Sequence, residues 1–124
     1  MVFGVFDGLH EGHRWFLRTA VEHGDKLIVV AARDEIVRML KKKNPLRNQA
    51  ERLRALGAMP EVNRAVLGDA KMGSYKVLKK HQPDVICVGY DQHGLAEDLK
   101  KKIELPVVRL ESYMPDKFHT SWLT

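Results

Sequence analysis

Along this chain, unbroken apolar runs alternate with stretches whose apolar residues recur every third or fourth position. It opens on Met1-Val2-Phe3, which predicts a short strand. Leu27-Ile28-Val29-Val30-Ala31-Ala32 is continuous and rich in β-branched residues, as expected of a parallel strand covered on both faces. Further short strands are predicted at residues 65–68 and 106–110, and Asp84-Val85-Ile86-Cys87-Val88-Gly89 is the clearest buried strand. Helices are predicted between them. One covers residues 14–23 and closes at Gly24; a short one over 36–40 is broken by Asn44-Pro45. Another runs over 48–58 with Ala50, Leu53, Leu56 and Gly57 on one face, and Asn48 with Glu51 predicts a capping box at its start. A fourth, around 75–81, stops before Pro83, and Leu95, Leu99 and Ile103 mark the core face of a fifth.

Strands alternating with helices predict βαβ units with right-handed crossovers. The expected class is α/β: a Rossmann-like three-layer α/β/α domain around a five-stranded parallel sheet. In such sheets ligands bind beyond the carboxyl ends of the strands, where strand order reverses. The segments expected there are 4–13, Arg33 with Asp34, Gly68 with Asp69, 89–92 and 111–113.

Composition narrows the partners. The 124 residues, 44% hydrophobic, suit one domain with a single sizeable core, and neither repeats nor linkers divide it. No run of eighteen apolar residues predicts a membrane span, and no signal peptide precedes the first strand, so a cytoplasmic location is expected. The single cysteine, Cys87, lies in an apolar run and reads as a small buried hydrophobe rather than a nucleophile. A net charge of +5 favours anionic partners. The lysine runs at 41–43 and 100–102 sit at predicted helix ends, where cations complement the dipole. Aromatic residues are not interleaved with the basic ones, so no nucleic-acid partner is expected.

The candidate chemistry lies in Gly4-Val5-Phe6-Asp7-Gly8-Leu9-His10-Glu11-Gly12-His13, a glycine-bearing turn between the first strand and the first helix. Free amides and the positive dipole end make a helix N-terminus an anion site. His10 and His13 are three apart, so on a first helical turn both rings face one side and suit a polyphosphate. A plain turn with a capping and a surface histidine is the competing reading. No Gly-Lys-Ser/Thr follows for a P-loop, the glycine spacing is wrong for a dinucleotide fold, and one residue too few separates the histidines for a zinc-protease pair. No metal site is expected. After the strongest strand, Gly89-Tyr90-Asp91-Gln92 offers a close approach and an Asp that can accept from a ribose or base amine, or is a simple turn.

The run from Gly4 to His13 resembles the first signature of the HxGH-class nucleotidylyltransferases, Gly-x-Phe-Asp-x-x-His-x-Gly-His. The likeness continues through Ala32-Arg33-Asp34-Glu35, the lysine-rich segment, Arg52, the Gly-x-Asp turn and Phe118-His119-Thr120-Ser121. Within that class, Ala31-Ala32-Arg33-Asp34-Glu35, Gly89-Tyr90-Asp91-Gln92 and Phe118-His119-Thr120-Ser121 look most similar to the archaeal-type FAD synthases. Glycerol-3-phosphate cytidylyltransferase shares the architecture, but its usual Asp-Asp-Trp turn and Ser/Thr-Thr-Lys ending are both missing. The basic residue that commonly follows the late hydroxyls is missing too, and a C-terminal helix beyond Thr124 is expected.

The resemblance implies transfer of a nucleoside monophosphate from a triphosphate to a phosphorylated acceptor, ATP and FMN first, with pyrophosphate released. It implies Mg2+ carried by the triphosphate and a homodimer. A phosphate monoester is mostly dianionic at neutral pH, its second pKa being about 6, so no general base or covalent intermediate is needed. His10 and His13 would bind phosphate oxygens, with Lys43, or nearly as well Lys42, closing over them. Val5, Phe6 and Gly12 would present backbone to the nucleotide, Asp91 would contact ribose or base, and Thr120 and Ser121 would take phosphate oxygens. Asp34 and Arg52 are candidate acceptor residues, Arg52 being otherwise an ordinary exposed helix residue. Tyr113 would stack on a ring or cover the sheet end. Asp7 would orient the histidines or hold its own turn. Readings of another class are a nucleotide-binding module without turnover and a nucleic-acid binder.

Overall fold

The structure is a computed structural model and describes residues 1–111. The elements run β1 (Val2–Gly4), α1 (Glu11–Val21), β2 (Ile28–Ala31), α2 (Asp34–Lys41), α3 (Gln49–Gly57), β3 (Arg64–Leu67), α4 (Lys76–His81), β4 (Ile86–Val88), α5 (His93–Lys102) and β5 (Val107–Arg109). All paired strands are parallel, with Val2 opposite Val29, Val29 opposite Ala65 and Cys87 opposite Val108.

Side chains alternate across a strand, and here that alternation builds two cores. Val2, Val29, Ala31 and Cys87 point to one face and pack with Leu17 and Ala20 of α1 and Leu56 of α3. Met1, Val30, Ile86 and Val88 point to the other, against Val77 and Leu78 of α4 and Ala96 and Leu99 of α5. Helices therefore cover both faces, as the continuous apolar runs require. Cys87 is buried in the first core, where burial pushes its thiol up.

The expected single five-stranded sheet is not what forms. β1, β2 and β3 make one hydrogen-bonded sheet, with β2 in the middle, and β4 pairs with β5 in a second. β1 and β4 are joined only at their starts: the Met1 ammonium donates to Val85 O at 2.9 Å, and Cys87 N–H donates to Met1 O at 3.0 Å. At Phe3 a side chain stands in for the next rung, Gln92 Nε2 donating to the Phe3 carbonyl at 3.0 Å. The sheet thus parts at the carboxyl ends of β1 and β4, where the topology switches.

Local signals hold at the helix ends. Asn48 and Glu51 form the expected capping box, Glu51 N–H donating to Asn48 Oδ1 at 2.9 Å and Asn48 N–H to Glu51 Oε1 at 3.1 Å. The first helix starts earlier than its periodicity suggests, at Glu11, because His10 caps it.

Candidate active site

A cleft of about 490 Å³ opens where the sheet parts, lined by the loop after β1, the start of α1 and the turn after β4. It brings together Val5, Phe6, His10, Gly12, His13 and Asp91. The two imidazoles stack, ring centroids 3.8 Å apart and planes 21° from parallel.

Their environments differ. His10 Nδ1 accepts from Gly12 N–H at 3.0 Å and His13 N–H at 3.4 Å, which caps α1. With Nδ1 accepting, a neutral His10 carries its proton on Nε2, free to donate outward. A phosphate would reach the Gly12 amide only by displacing that ring. His13 is half-buried against the edge of Phe6, and its Nδ1 is buried with no hydrogen-bond partner among the described residues. Burial, then the neighbouring His10, pushes the His13 imidazole down to about 4; Lys41 adds to this, while the Gly8 backbone and Asp91 oppose it. His13 is therefore neutral at physiological pH in the free protein.

The loop is shaped by backbone strain. Phe6 lies at φ +54°, the left-handed region that costs a non-glycine residue on the order of 1–3 kcal/mol. Its ring folds back over Gly4, where an added Cβ would sit 2.7 Å from Phe6 Cε2. Gly8, at φ +90°, completes the turn. Asp7 neither orients the histidines nor holds its own turn. Its carboxylate accepts from the backbone N–H groups of Leu46 at 2.6 Å and Arg47 at 2.8 Å, fastening the loop to a segment 40 residues away.

Arg52 corrects the view of it as an ordinary exposed helix residue: it is fully buried. Its NH1 donates to Val5 O at 2.9 Å, Nε to Arg47 O at 3.1 Å, and NH2 to Asp34 Oδ1 at 2.7 Å. Partial burial pushes the Asp34 carboxyl up, but the Arg52 hydrogen bond and the Gln49 backbone outweigh it and hold Asp34 below the usual range. The candidate acceptor pair is thus occupied with itself, tying the β1 loop to the starts of α2 and α3. Neither residue lines the histidine cleft.

Among the described residues, the lysine lining the cleft is Lys41. Lys42 takes the left-handed conformation at the end of α2 (φ +58°), which turns the chain away, and Lys43 is exposed without lining that cleft. Nothing in a run of three lysines marks which one faces a ligand. Gln92, which the sequence places at the site only as part of the 89–92 turn, has a side-chain role that the sequence does not reveal: besides Phe3, it binds Gly89 N–H through Oε1 at 2.7 Å. Tyr113, Thr120 and Ser121, and the expected C-terminal helix, lie outside the described residues.

Among the described residues no group of three or more His, Cys, Asp or Glu side chains could hold a metal. Asp91 and Glu111 line the cleft, and Asp7 beside them is already satisfied. That donor set fits a cation brought by a polyphosphate, which keeps most of its ligands from phosphate and water. No helix among the described residues is long and apolar enough to cross a membrane.

The cytidylyltransferase-like family model matches residues 1–120. The FAD synthase of Thermococcus sibiricus is 40% identical over 124 residues, covering 95% of this chain and 84% of the relative. That of Aciduliprofundum boonei is 44% identical over 118 residues, covering 91% and 78%. Among solved structures, a lipopolysaccharide core biosynthesis protein from Thermoplasma volcanium superposes with a TM-score of 0.79 at 36% identity, over 91% of this chain and 95% of that one.

Proposed function

This chain belongs to the cytidylyltransferase-like family, and we propose that it is an FMN adenylyltransferase, forming FAD and pyrophosphate from ATP and FMN. The observation that carries the reading is the stacked His10–His13 pair at the start of α1, in the cleft where the sheet parts. The flavin acceptor is favoured by kinship with FAD synthases and by a second, largely apolar cavity that adjoins the cleft.

In the reaction an FMN phosphate oxygen attacks the α-phosphorus of ATP in line. A new P–O bond forms as the bond to the β-phosphate bridging oxygen breaks, and pyrophosphate leaves with that electron pair. The acceptor is already anionic, so positioning and charge stabilisation are the protein's main tasks. His10 donates from Nε2, and His13 donates as charge grows on the α-phosphoryl oxygens. Lys41 supplies a fixed positive charge nearby, and Asp91 contacts ribose or base. Mg2+ carried by the triphosphate neutralises phosphate charge when bound. A cytoplasmic location and a homodimer belong to the same proposal and rest on the family likeness.

The test crosses ATP and CTP with FMN, glycerol 3-phosphate and sugar 1-phosphates, reading pyrophosphate. Turnover is expected for ATP with FMN, reduced on the order of 10²–10³-fold in His13→Ala, the scale of losing one charge-stabilising donor. Turnover with CTP and glycerol 3-phosphate alone would replace the FAD reading with the cytidylyl one. Nucleotide binding without pyrophosphate release would replace it with a binding module.

A further inference from the structure

The cavity beside the histidine cleft is the larger of the two, about 780 Å³ against 490 Å³, and they share Phe3, Gly4, Val5 and Gln92. Its size is that of a small-molecule site. It lies over the ends of β2 and β3, and Phe3, Tyr75 and Leu95 are among its apolar walls. Tyr75 is held there with unusual care. It sits at φ +50° just before α4, a conformation costly for an aromatic residue that persists only where its surroundings demand it.

Those surroundings come from three directions. The Tyr75 hydroxyl donates to Asp98 Oδ2 on α5 at 2.5 Å. Lys102, one turn on, lies 3.3 Å from the same carboxylate oxygen, donates to Gly73 O at 3.2 Å and sits 5.6 Å from the Tyr75 ring centre. The ring meets Phe3 edge-on, centroids 6.3 Å apart and planes at 81°. Asp69 fixes the turn leading to it by accepting from Ser74 Oγ at 2.8 Å and from Lys76 N–H. Burial, then the Asp98 hydrogen bond, raises the Tyr75 hydroxyl above its ordinary value, so it stays protonated and keeps donating.

We propose that Tyr75, locked by Asp98 and Lys102, is the residue by which this protein selects an acceptor with a flat aromatic ring. It presents a fixed aromatic surface to the flavin ring while the acceptor's phosphate passes the shared wall at Phe3 to Val5 towards the histidines. A small polyol phosphate gains nothing from that surface, so the same side chain discriminates against it. The proposal rests on the FMN adenylyltransferase reading, and its test separates the two.

FMN alone is titrated by its fluorescence, and riboflavin, which has the ring without the phosphate, is tested as a competitor. Tyr75→Leu is expected to raise the FMN dissociation constant and the riboflavin inhibition constant together by roughly tenfold, the scale of one lost aromatic contact. The KM for ATP should stay within about twofold, an outcome that loss of packing between α4 and α5 would not produce. If that variant does not fold, Asp98→Asn, which weakens the tie and keeps the ring, should move FMN and riboflavin in the same direction by a smaller factor. FMN and ATP weakened equally, or FMN binding unchanged, would overturn the role of Tyr75 while leaving the reaction intact. Wild-type protein that neither binds nor adenylylates FMN would overturn the reaction itself.

Discussion

Replacing Arg52 with methionine should destabilise this protein more than most single substitutions, although Arg52 itself does not line the histidine cleft. The guanidinium is fully buried and bonds Val5 O, Arg47 O and Asp34 at 2.7–3.1 Å. Methionine fills much of the stem's volume, so the cost is not chiefly a cavity. Two carbonyls lose a donor and Asp34 loses its cation. Breaking a buried pair from one side costs about 3–5 kcal/mol, because the remaining charge stays desolvated. The Asp34 side chain is 23% exposed, so water can reach it and the lower part of that range applies, about 3 kcal/mol. For a domain of this size that corresponds to a fall in Tm of roughly 12 °C. Urea unfolding followed by circular dichroism measures it directly. Arg52→Lys should fall between, since a lysine keeps the charge but its donors radiate from a single nitrogen and cannot reach acceptors held by three separate guanidinium nitrogens. A double-mutant cycle with Asp34→Asn should give a coupling of about 1–3 kcal/mol. An Arg52→Met variant within about 1 kcal/mol of wild type would refute the bridging role and return Arg52 to the candidate acceptor residues.

The depressed His13 pKa predicts an acid limb in stability. Its value in the fold is about 4 against an ordinary 6.5, so between those pH values the unfolded chain binds the extra proton. Stability present above pH 6.5 should fall progressively towards pH 4, and His13→Gln should flatten that limb in a pH series of thermal melts; an unchanged slope would mean His13 is not desolvated as described. The geometry also ranks the lysines. Lys41→Ala should lower kcat/KM for pyrophosphate release by roughly tenfold, the scale of losing one charged contact to a phosphate, and Lys43→Ala by less than about twofold. Equal losses would restore Lys43 as the cation closing over the phosphates.

What the amino-acid order settles by itself is whatever a few neighbouring residues can encode. β-branched apolar runs such as 27–32 predict buried parallel strands, and the alternation along them already divides Val29 from Val30 between two cores. Asn48 and Glu51 spell a capping box because both partners lie within one turn. His10 and His13 also meet within that short span, although not as two residues of one helical turn: His10 stands at the extended N-cap, and its ring folds back to accept from Gly12 and His13 N–H and so stacks on His13.

The rest required partners far apart in the chain. Asp7 finds its donors at Leu46 and Arg47, Arg52 finds Val5 and Asp34, and Gln92 finds Phe3, each across tens of residues. The sheet parts where Gln92 replaces a strand rung, and the packing of α2, which ends at Lys41, brings that lysine to the cleft. Tyr75 owes its place in the second cavity to Asp98 and Lys102 on another helix. Periodicity specifies which face of an element is apolar. Which polar side chain meets which is decided only when the elements pack, because a buried donor or charge must take its partner from whatever the fold brings within bonding distance.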